Sequence, residues 1–121
     1  MWVGYITLAK MKLRSRIDEV LLLAVCCLQD EAFGLNIRDH VEARTGKRFS
    51  IGGIYVPLDR MVRDGLLTTE EGQPTEKRQG RRRRRYVITN QGLVVLQDMQ
   101  AMHQRIWSGL PEHIVARIQP G

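Results

Sequence analysis

Two short amphipathic segments joined by a tight turn constrain the fold of this chain more than any other feature. Apolar residues recur at helical spacing in both segments, which predicts one buried face on each helix. They are Phe33, Ile37 and Val41 in the first segment, and Ile51, Ile54, Leu58, Met61 and Val62 in the second. Gly46 predicts a left-handed end of the first helix, and Ser50 predicts the N-cap of the second. Two short helices connected in this way favour a helix-turn-helix.

The boundaries of these two helices can be predicted from polar and imino residues. Asn36, with Asp39 three positions later, is the predicted N-cap of the first helix. The second helix is predicted to run from about Ile51 to Asp64. Pro57 lies inside it, and proline removes one helical hydrogen bond. We therefore expect either a kink or a regular helix that begins only near residues 53–55.

The segment after Ser15 predicts a helix with apolar residues on nearly all of its sides. Ser15 is its predicted N-cap, with Asp18 three positions later. The apolar residues are Ile17, Val20, Leu21, Leu22, Leu23, Ala24, Val25, Cys26, Cys27 and Leu28. Such a helix is buried nearly all round, and one core of a 121-residue chain rarely surrounds a helix completely. We therefore expect a second subunit to cover part of it.

Two short strands with a basic loop between them follow the helix pair. Residues 66–70 and 86–88 predict the strands. Seven of the 19 basic residues of the chain lie in the segment 77–85, which contains no acid: Lys77, Arg78, Arg81, Arg82, Arg83, Arg84 and Arg85. The rest of the chain has 12 basic and 13 acidic residues, so this segment accounts for the net charge of +6. A concentrated cationic segment favours a polyanionic partner.

The last long helix is predicted to run from about Asn90 to Ser108, with Thr89 as its N-cap. Val95, Met99, Met102 and Ile106 are spaced by 4, 3 and 4 residues, which is typical of a dimer seam. An ordinary core stripe is the alternative. Leu93 and Leu96 lie on a different side of the helix and are predicted to pack on the domain. Residues 111–118 predict a short terminal helix.

No sequence pattern typical of a catalytic or metal site is present. The chain has no phosphate-binding loop and no nucleophile elbow, and its three histidines are widely separated. We therefore expect no enzymatic activity, no cofactor and no bound metal. The adjacent Cys26 and Cys27 are interpreted as buried structural thiols in a reducing, cytoplasmic setting, with oxidant sensing as the alternative. No apolar run reaches the roughly 18 residues of a membrane span.

Several segments resemble the PadR family of bacterial repressors, and the resemblance extends over about residues 15–110. It is carried by residues 21–24, 33–34, 42–46, 54–61, 64–67 and 84–89. The family often has proline directly after the tyrosine of the third helix, whereas here Val56 separates Tyr55 from the proline. The resemblance, to the short subtype, implies a DNA-binding homodimer made by the last helix with help from the first.

The expected fold is α+β and mostly α. It is a winged helix-turn-helix with a two-stranded wing and a long C-terminal dimerisation helix. The chain is divided into an N-terminal segment of uncertain structure (1–14), the winged helix-turn-helix domain (15–89), the dimerisation helix (90–110) and a C-terminal tail (111–121).

The predicted site residues fall into three groups. The turn and recognition helix contribute Lys47, Arg48, Ser50, Gly52, Gly53, Tyr55, Val56, Arg60 and Arg63. The wing contributes the seven basic residues of the segment 77–85, for phosphate or minor-groove contacts. The dimer interface contributes Leu22, Val95, Met99, Met102, Ile106 and Trp107. Tyr55 packing on the wing strand, and Trp107 lining a pocket for a small aromatic effector, are open alternatives.

These predictions favour a dimeric repressor that binds double-stranded DNA and occludes a roughly palindromic promoter site. The alternative is a winged-helix interaction module whose arginine-rich wing binds an acidic protein or another polyanion. RNA binding has less support, because no aromatic platform flanks the basic segment.

Overall fold

The computed structural model describes residues 14–71 and 84–118. The helices are α1 (Arg16–Leu28), α2 (Gly34–Thr45), α3 (Ile51–Arg63), α4 (Asn90–Trp107) and α5 (Glu112–Ile118), and the strands are β1 (Leu67–Glu71) and β2 (Arg84–Ile88). A 3-10 turn, Gln29–Glu31, follows α1. This order confirms the mostly helical winged helix-turn-helix with a two-stranded wing. Five predicted wing residues, Lys77, Arg78, Arg81, Arg82 and Arg83, lie outside the described residues.

α1 begins at its predicted cap and is buried on most of its surface. The Ser15 hydroxyl accepts a hydrogen bond of 3.3 Å from the Asp18 N–H. Leu21, Leu22, Ala24 and Val25 are buried in the core. Leu23 is 46% exposed and Cys27 is also exposed, so one chain leaves a side of α1 uncovered. The prediction of two buried thiols is wrong, because Cys26 is only partly buried and Cys27 faces solvent.

α2 begins earlier than predicted, because Asn36 does not cap it. Phe33 occupies the N-cap position. Asn36 lies within the first turn, and its amide donates a 2.8 Å hydrogen bond to the Glu31 carbonyl. This bond ties the start of α2 to the preceding 3-10 turn. Gly46 ends the helix in the left-handed conformation, with φ of 72°, as predicted.

α3 is continuous through its proline. The Ser50 hydroxyl accepts a 2.9 Å hydrogen bond from the Gly53 N–H, so the helix begins at its predicted cap and not near residue 53. Pro57 cannot donate to the Gly53 carbonyl, but Gly53 is exposed and water can take that bond. Ile51, predicted to face inward, is 57% exposed, because it is the first helical residue and precedes the part of α3 that reaches the core.

The wing strands are antiparallel, and their register places Leu67 opposite Ile88. β2 is also attached to the helix-turn-helix, because the Tyr86 N–H donates a 2.9 Å hydrogen bond to the Ala32 carbonyl. Since Ala32 lies just before α2, this bond fixes the base of the wing to the segment that enters the helix pair.

The start of α4 is joined to the end of α3 through one threonine. The Thr89 hydroxyl accepts a 3.0 Å hydrogen bond from the Gly92 N–H and donates one of 2.7 Å to the Gly65 carbonyl. Gly92 is buried against the chain that leaves α3, and a Cβ at this position would collide with the Leu66 carbonyl oxygen. The predicted N-cap of α4 is therefore confirmed, and it also orients α4 on the domain.

Two residues predicted at the dimer interface lie in the core of the single chain. Leu22 is fully buried and Val95 is 4% exposed, so neither is available to a partner and these two predictions are wrong. Further along α4, Met99 packs on the core, whereas Ile106 is 63% exposed. The reason is length: α4 has 18 residues, roughly 27 Å, and extends beyond the core on which its first half packs.

In the part of the chain that the structure describes, no helix is long and apolar enough to cross a lipid bilayer. Among the same residues, no group of three or more His, Cys, Asp or Glu side chains is arranged to hold a metal ion.

Candidate nucleic-acid interface

The N-terminal half of α3 presents a small, apolar exposed surface, which we call the reading face (Ile51, Gly52 and Val56). Val56 is 63% exposed, and no atom lies within 4 Å of where a Cβ on Gly52 would stand. Ser50 is occupied as the cap, and its hydroxyl also lies close to Gly53. The reading face therefore offers methyl groups and accessible backbone rather than long polar side chains.

The turn before α3 holds two basic residues next to the reading face. The Glu42 carboxylate accepts a 2.8 Å hydrogen bond from the Phe49 N–H, and the Thr45 hydroxyl accepts one of 3.2 Å from the Lys47 N–H. These bonds fix the backbone on both sides of Arg48. Lys47 and Arg48 are exposed, so both side chains are accessible, and their predicted contacts with DNA stay a prediction.

Arg60, predicted to face outward and contact DNA, is instead bound to α1. Its Nη2 lies 2.8 Å from Oδ1 of Asp18, a carboxylate that is almost completely buried. Arg14 also approaches Asp18, at 3.7 Å, and pairs with Asp64 at 2.8 Å. Because its guanidinium compensates a buried charge, Arg60 holds α3 on α1. Arg63, one turn later, is exposed.

Tyr55 is the second recognition-helix residue that does not face outward. It is partly buried, and its hydroxyl lies over Gly34, where a Cβ would overlap the phenol. Tyr55 therefore packs α3 against the first residue of α2. The close approach explains why glycine occupies position 34, since any side chain there would displace the tyrosine.

The two described arginines of the wing are paired with carboxylates of the same chain. Arg84 lies 3.1 Å from Oδ1 of Asp59 on α3. Arg85 pairs with Asp30 at 2.6 Å and, in the sheet, with Glu70 directly across from it. Successive residues of a strand face opposite sides, so the two arginines bind acids on opposite faces of β2. Both cations therefore already have carboxylate partners within the chain, and their predicted phosphate contacts stay a prediction.

Several large apolar residues of α1 and α4 are exposed, and the sequence predicted only some of them at an interface. Ile106 and Trp107, both predicted at the interface, are 63% and 59% exposed. Met102 is partly buried. The prediction missed Leu23 and Val94, and Leu93, expected to pack on the domain, is 49% exposed. Leu96 does pack on the core, as predicted.

A polar contact sets how α4 lies on α1. Nε2 of His103 lies 3.0 Å from a carboxylate oxygen of Glu19, which also pairs with Arg16 at 3.4 Å. This contact lies in the second half of α4, which ends with the exposed Ile106 and Trp107. His103 is therefore a packing residue rather than a metal ligand.

An open cleft of about 380 Å³ lies between the end of α1, β2 and the start of α4. Its lining includes Val25, Cys26, Gln29, Tyr86, Ile88 and Leu93. Burial, and then the neighbouring Cys27, raise the pKa of the Cys26 thiol, which keeps it protonated and poorly nucleophilic. Trp107 does not line this cleft, so the predicted effector pocket at that residue stays a prediction.

Solved structures similar to this chain are transcriptional regulators. Two similar solved structures are a PadR family transcription regulator from hypervirulent Clostridium difficile R20291 (25% identity, 78% of this chain and 93% of that one, TM-score 0.62) and a PadR-like transcription factor from Bacteroides fragilis (23% identity, 86% and 93%, TM-score 0.60). A third is a transcriptional regulator from Clostridium thermocellum, with 15% identity, 85% and 92% coverage and a TM-score of 0.60.

A search of curated proteins found no significant match. The sequence profile of the transcriptional regulator PadR-like family matches residues 22–98, which is more than half of the chain. This match extends from α1 through the wing into α4. The chain therefore belongs to the PadR-like family of transcriptional regulators, whose winged helix binds DNA.

Proposed function

We propose that this protein is a homodimeric repressor that acts in the cytoplasm by covering a roughly palindromic promoter site. The exposed reading face of α3 carries the proposal. In a helix-turn-helix, the N-terminal residues of the second helix enter the major groove. Ile51 and Val56 are suited to thymine methyl groups, and Gly52 admits close approach of the backbone. We therefore expect half-sites rich in A·T pairs.

Phosphate contacts would come from the turn before α3 and from the N-terminus of that helix. Lys47 and Arg48 are exposed beside the helix N-terminus, which itself favours anions. Contacts of this kind fix the position of a protein on the duplex, and base contacts then supply sequence preference.

The two-fold symmetry of the proposed site follows from the proposed dimer. Ile106 and Trp107 are large, apolar and exposed at the end of α4 that extends beyond the core. We propose that a second copy packs there with two-fold symmetry and that the two copies of α3 bind two half-sites. Their half-sites would then lie about one helical turn apart, on the order of 10 base pairs.

Selection of binding duplexes from a random pool tests the proposal. We expect a preferred sequence with dyad symmetry, bound at least about a thousandfold more tightly than random duplex at physiological salt. Val56→Ala removes two methyl groups and should weaken binding to that sequence by about 1–2 kcal/mol, with little change on random duplex. Thr68→Ala, an exposed change in β1, is the matched control and should leave both affinities unchanged. Equal affinity for random DNA, RNA and heparin would instead support the interaction-module alternative.

Repression needs its own test, because binding to DNA does not show whether the protein represses or activates transcription. Transcription in vitro from a promoter overlapping the selected site should fall as protein is added. An increase in transcript would overturn the repressor assignment while leaving sequence-specific binding intact.

A small aromatic effector between subunits is also part of the proposal, and its support is the exposed indole of Trp107 at the proposed interface. In a Trp2→Phe background, Trp107 is the only indole, since the chain has two tryptophans. Saturable quenching of its fluorescence by benzoate, together with release from the selected duplex, is the expected result. Quenching that does not saturate would exclude a site there.

A further inference from the structure

Tyr86 of the wing is joined by its side chain to Asp59 of the recognition helix. The Tyr86 residue is completely buried, and its hydroxyl donates a 2.9 Å hydrogen bond to Oδ1 of Asp59. Arg84 closes the arrangement, since its Nη2 donates to the same carboxylate oxygen at 3.1 Å and to the Tyr86 hydroxyl at 2.9 Å. The Arg84 guanidinium also lies 5.4 Å from the centre of the phenol ring. We call these three residues the wing clamp.

The wing clamp connects the wing to both helices of the helix-turn-helix. The Tyr86 backbone is bonded to Ala32, at the entry to α2, while its side chain is bonded to α3. Position 86 is therefore bonded both to the segment that enters α2 and to α3 itself. Tyr55, one turn before Asp59, packs the same side of α3 on the start of α2.

The hydrogen bonds among the three residues of the wing clamp restrict the position of β2 relative to α3. Apolar packing is not directional, whereas a hydrogen bond to a charged group weakens steeply with distance and angle. Burial, followed by the hydrogen bond to Asp59, raises the pKa of Tyr86, so the phenol stays protonated as a donor. Without Asp59, the proton of the buried Tyr86 hydroxyl would lose its acceptor, although the hydroxyl oxygen would still accept from Arg84.

We propose that the wing clamp sets the distance and angle between the reading face of α3 and the wing. This makes Tyr86, Asp59 and Arg84 positioning residues for DNA recognition. The proposal rests on the proposed function, in which α3 reads the major groove while the wing contacts the adjacent backbone or minor groove. It also gives Arg84 a role other than phosphate binding.

Spin-label distances test the positioning itself without DNA. Val56→Cys on α3 and Thr69→Cys on β1 provide two exposed labelling sites in a Cys26→Ser and Cys27→Ser background. We expect a narrow distance distribution with wild-type Tyr86 and a shifted or clearly broader one with Tyr86→Phe, which removes only the hydroxyl. Thr68→Val, which removes an exposed hydroxyl from the same sheet, is the control. An unchanged distribution in Tyr86→Phe would overturn the proposal, whatever the protein binds.

Binding then tests the consequence for recognition. With the selected duplex, Tyr86→Phe and Arg84→Ala should each reduce the ratio of specific to random affinity about tenfold, with an unchanged salt dependence on random duplex. Arg48→Ala should instead weaken both affinities and flatten the salt dependence.

Two results would contradict a positioning role. A lower melting temperature with an unchanged specificity ratio in Tyr86→Phe would assign the clamp to stability alone. A flattened salt dependence in Arg84→Ala would make Arg84 a phosphate contact. A wild-type protein that prefers no duplex would defeat the proposed function, and the spin-label distances would still decide the positioning.

Discussion

The guanidinium of Arg60 lies 2.8 Å from the carboxylate of Asp18, and this contact joins the recognition helix to α1. Asp18 is buried, whereas the Arg60 side chain is 42% exposed, so the carboxylate depends on the pair more than the arginine does. The charge at position 60 is therefore part of the scaffold that holds α3, although its place in the second half of a recognition helix predicted a DNA contact.

Arg60→Ala should lower the free energy of unfolding by about 1–3 kcal/mol, because a buried carboxylate loses its closer partner while Arg14 remains. Discrimination between specific and random duplex should persist in the folded variant. Arg63→Ala, one turn along the same helix, should change stability by less than about 0.5 kcal/mol. Urea unfolding and duplex titration measure both. An unaltered unfolding curve for Arg60→Ala with lost discrimination would restore the base contact.

Removing Arg85 from the wing should have little effect on phosphate binding, because two carboxylates of the chain already bind it. Arg85 is held by Asp30 and Glu70, and its hydrogen bond to Glu70 raises its pKa further. Arg85→Ala should therefore leave the slope of log affinity against log salt nearly unchanged. Replacing Arg81, Arg82 and Arg83 with alanine should reduce that slope by roughly two to three, if each neutralises one phosphate. Equal slopes for the two variants would show that Arg85 contributes to phosphate binding despite its carboxylate partners.

The exposed end of α4 should control assembly. Ile106→Asp should raise the dimer dissociation constant at least tenfold, because a carboxylate would be buried against an apolar partner. Gln104→Asp adds the same charge at an exposed position two residues away and should leave the dimer intact. Sedimentation at micromolar concentration distinguishes the species. A monomeric wild-type protein would contradict the proposed dimer and, with it, the proposed palindromic site.

The contact between Gly34 and Tyr55 should appear as a strong coupling in stability. Gly34→Ala places a Cβ where the phenol lies and should cost about 1–3 kcal/mol of unfolding free energy. In a Tyr55→Ala background the same substitution should cost much less, because the obstacle is gone. A double-mutant cycle from chemical denaturation measures the difference. Additive effects would mean that position 34 is restricted for another reason.

The Cys26 thiol should react slowly with alkylating agents near neutral pH. Its pKa is raised above the ordinary value, so a smaller fraction is thiolate at a given pH, and the rate should keep rising beyond the pH at which a free thiol levels off. Mass spectrometry of a Cys27→Ser variant alkylated over a pH series measures this. The unfolded variant in urea should react faster at pH 8, and equal rates in the folded and unfolded states would rule out protection by burial.

Local chemistry could be predicted from the sequence with good accuracy. Ser15, Ser50 and Thr89 cap helices, and Gly46 has the left-handed conformation, because each of these features involves residues within one helical turn. Asn36 is the exception, since its amide donates a hydrogen bond to the Glu31 carbonyl and α2 begins two residues before it.

Pairings between distant residues could not be predicted in this way. Arg60 and Asp18 are 42 residues apart, and Arg85 and Asp30 are 55 apart, so no periodicity links them. A basic residue in a helix or strand has the same sequence signal whether it faces solvent or a carboxylate. The carboxylate partners of Arg60, Arg84 and Arg85 were therefore not predicted, and the DNA contacts of the turn and of α3 stay a prediction. Ile51 was predicted to face inward, although its position directly after the N-cap is a reason to expect the exposure that the structure shows.

The length of α4 has a further consequence if its free end joins two copies. Each residue inserted into α4 would lengthen the helix by about 1.5 Å. It would also rotate the winged helix-turn-helix domain by about 100° about the helix axis, relative to the proposed dimer contact. Insertions before Ile106 would thus keep both DNA-binding domains on one side of the duplex only when they approach whole turns of three to four residues. The number of helical turns between the domain and Ile106 would then decide which spacings of the two half-sites the dimer can bind.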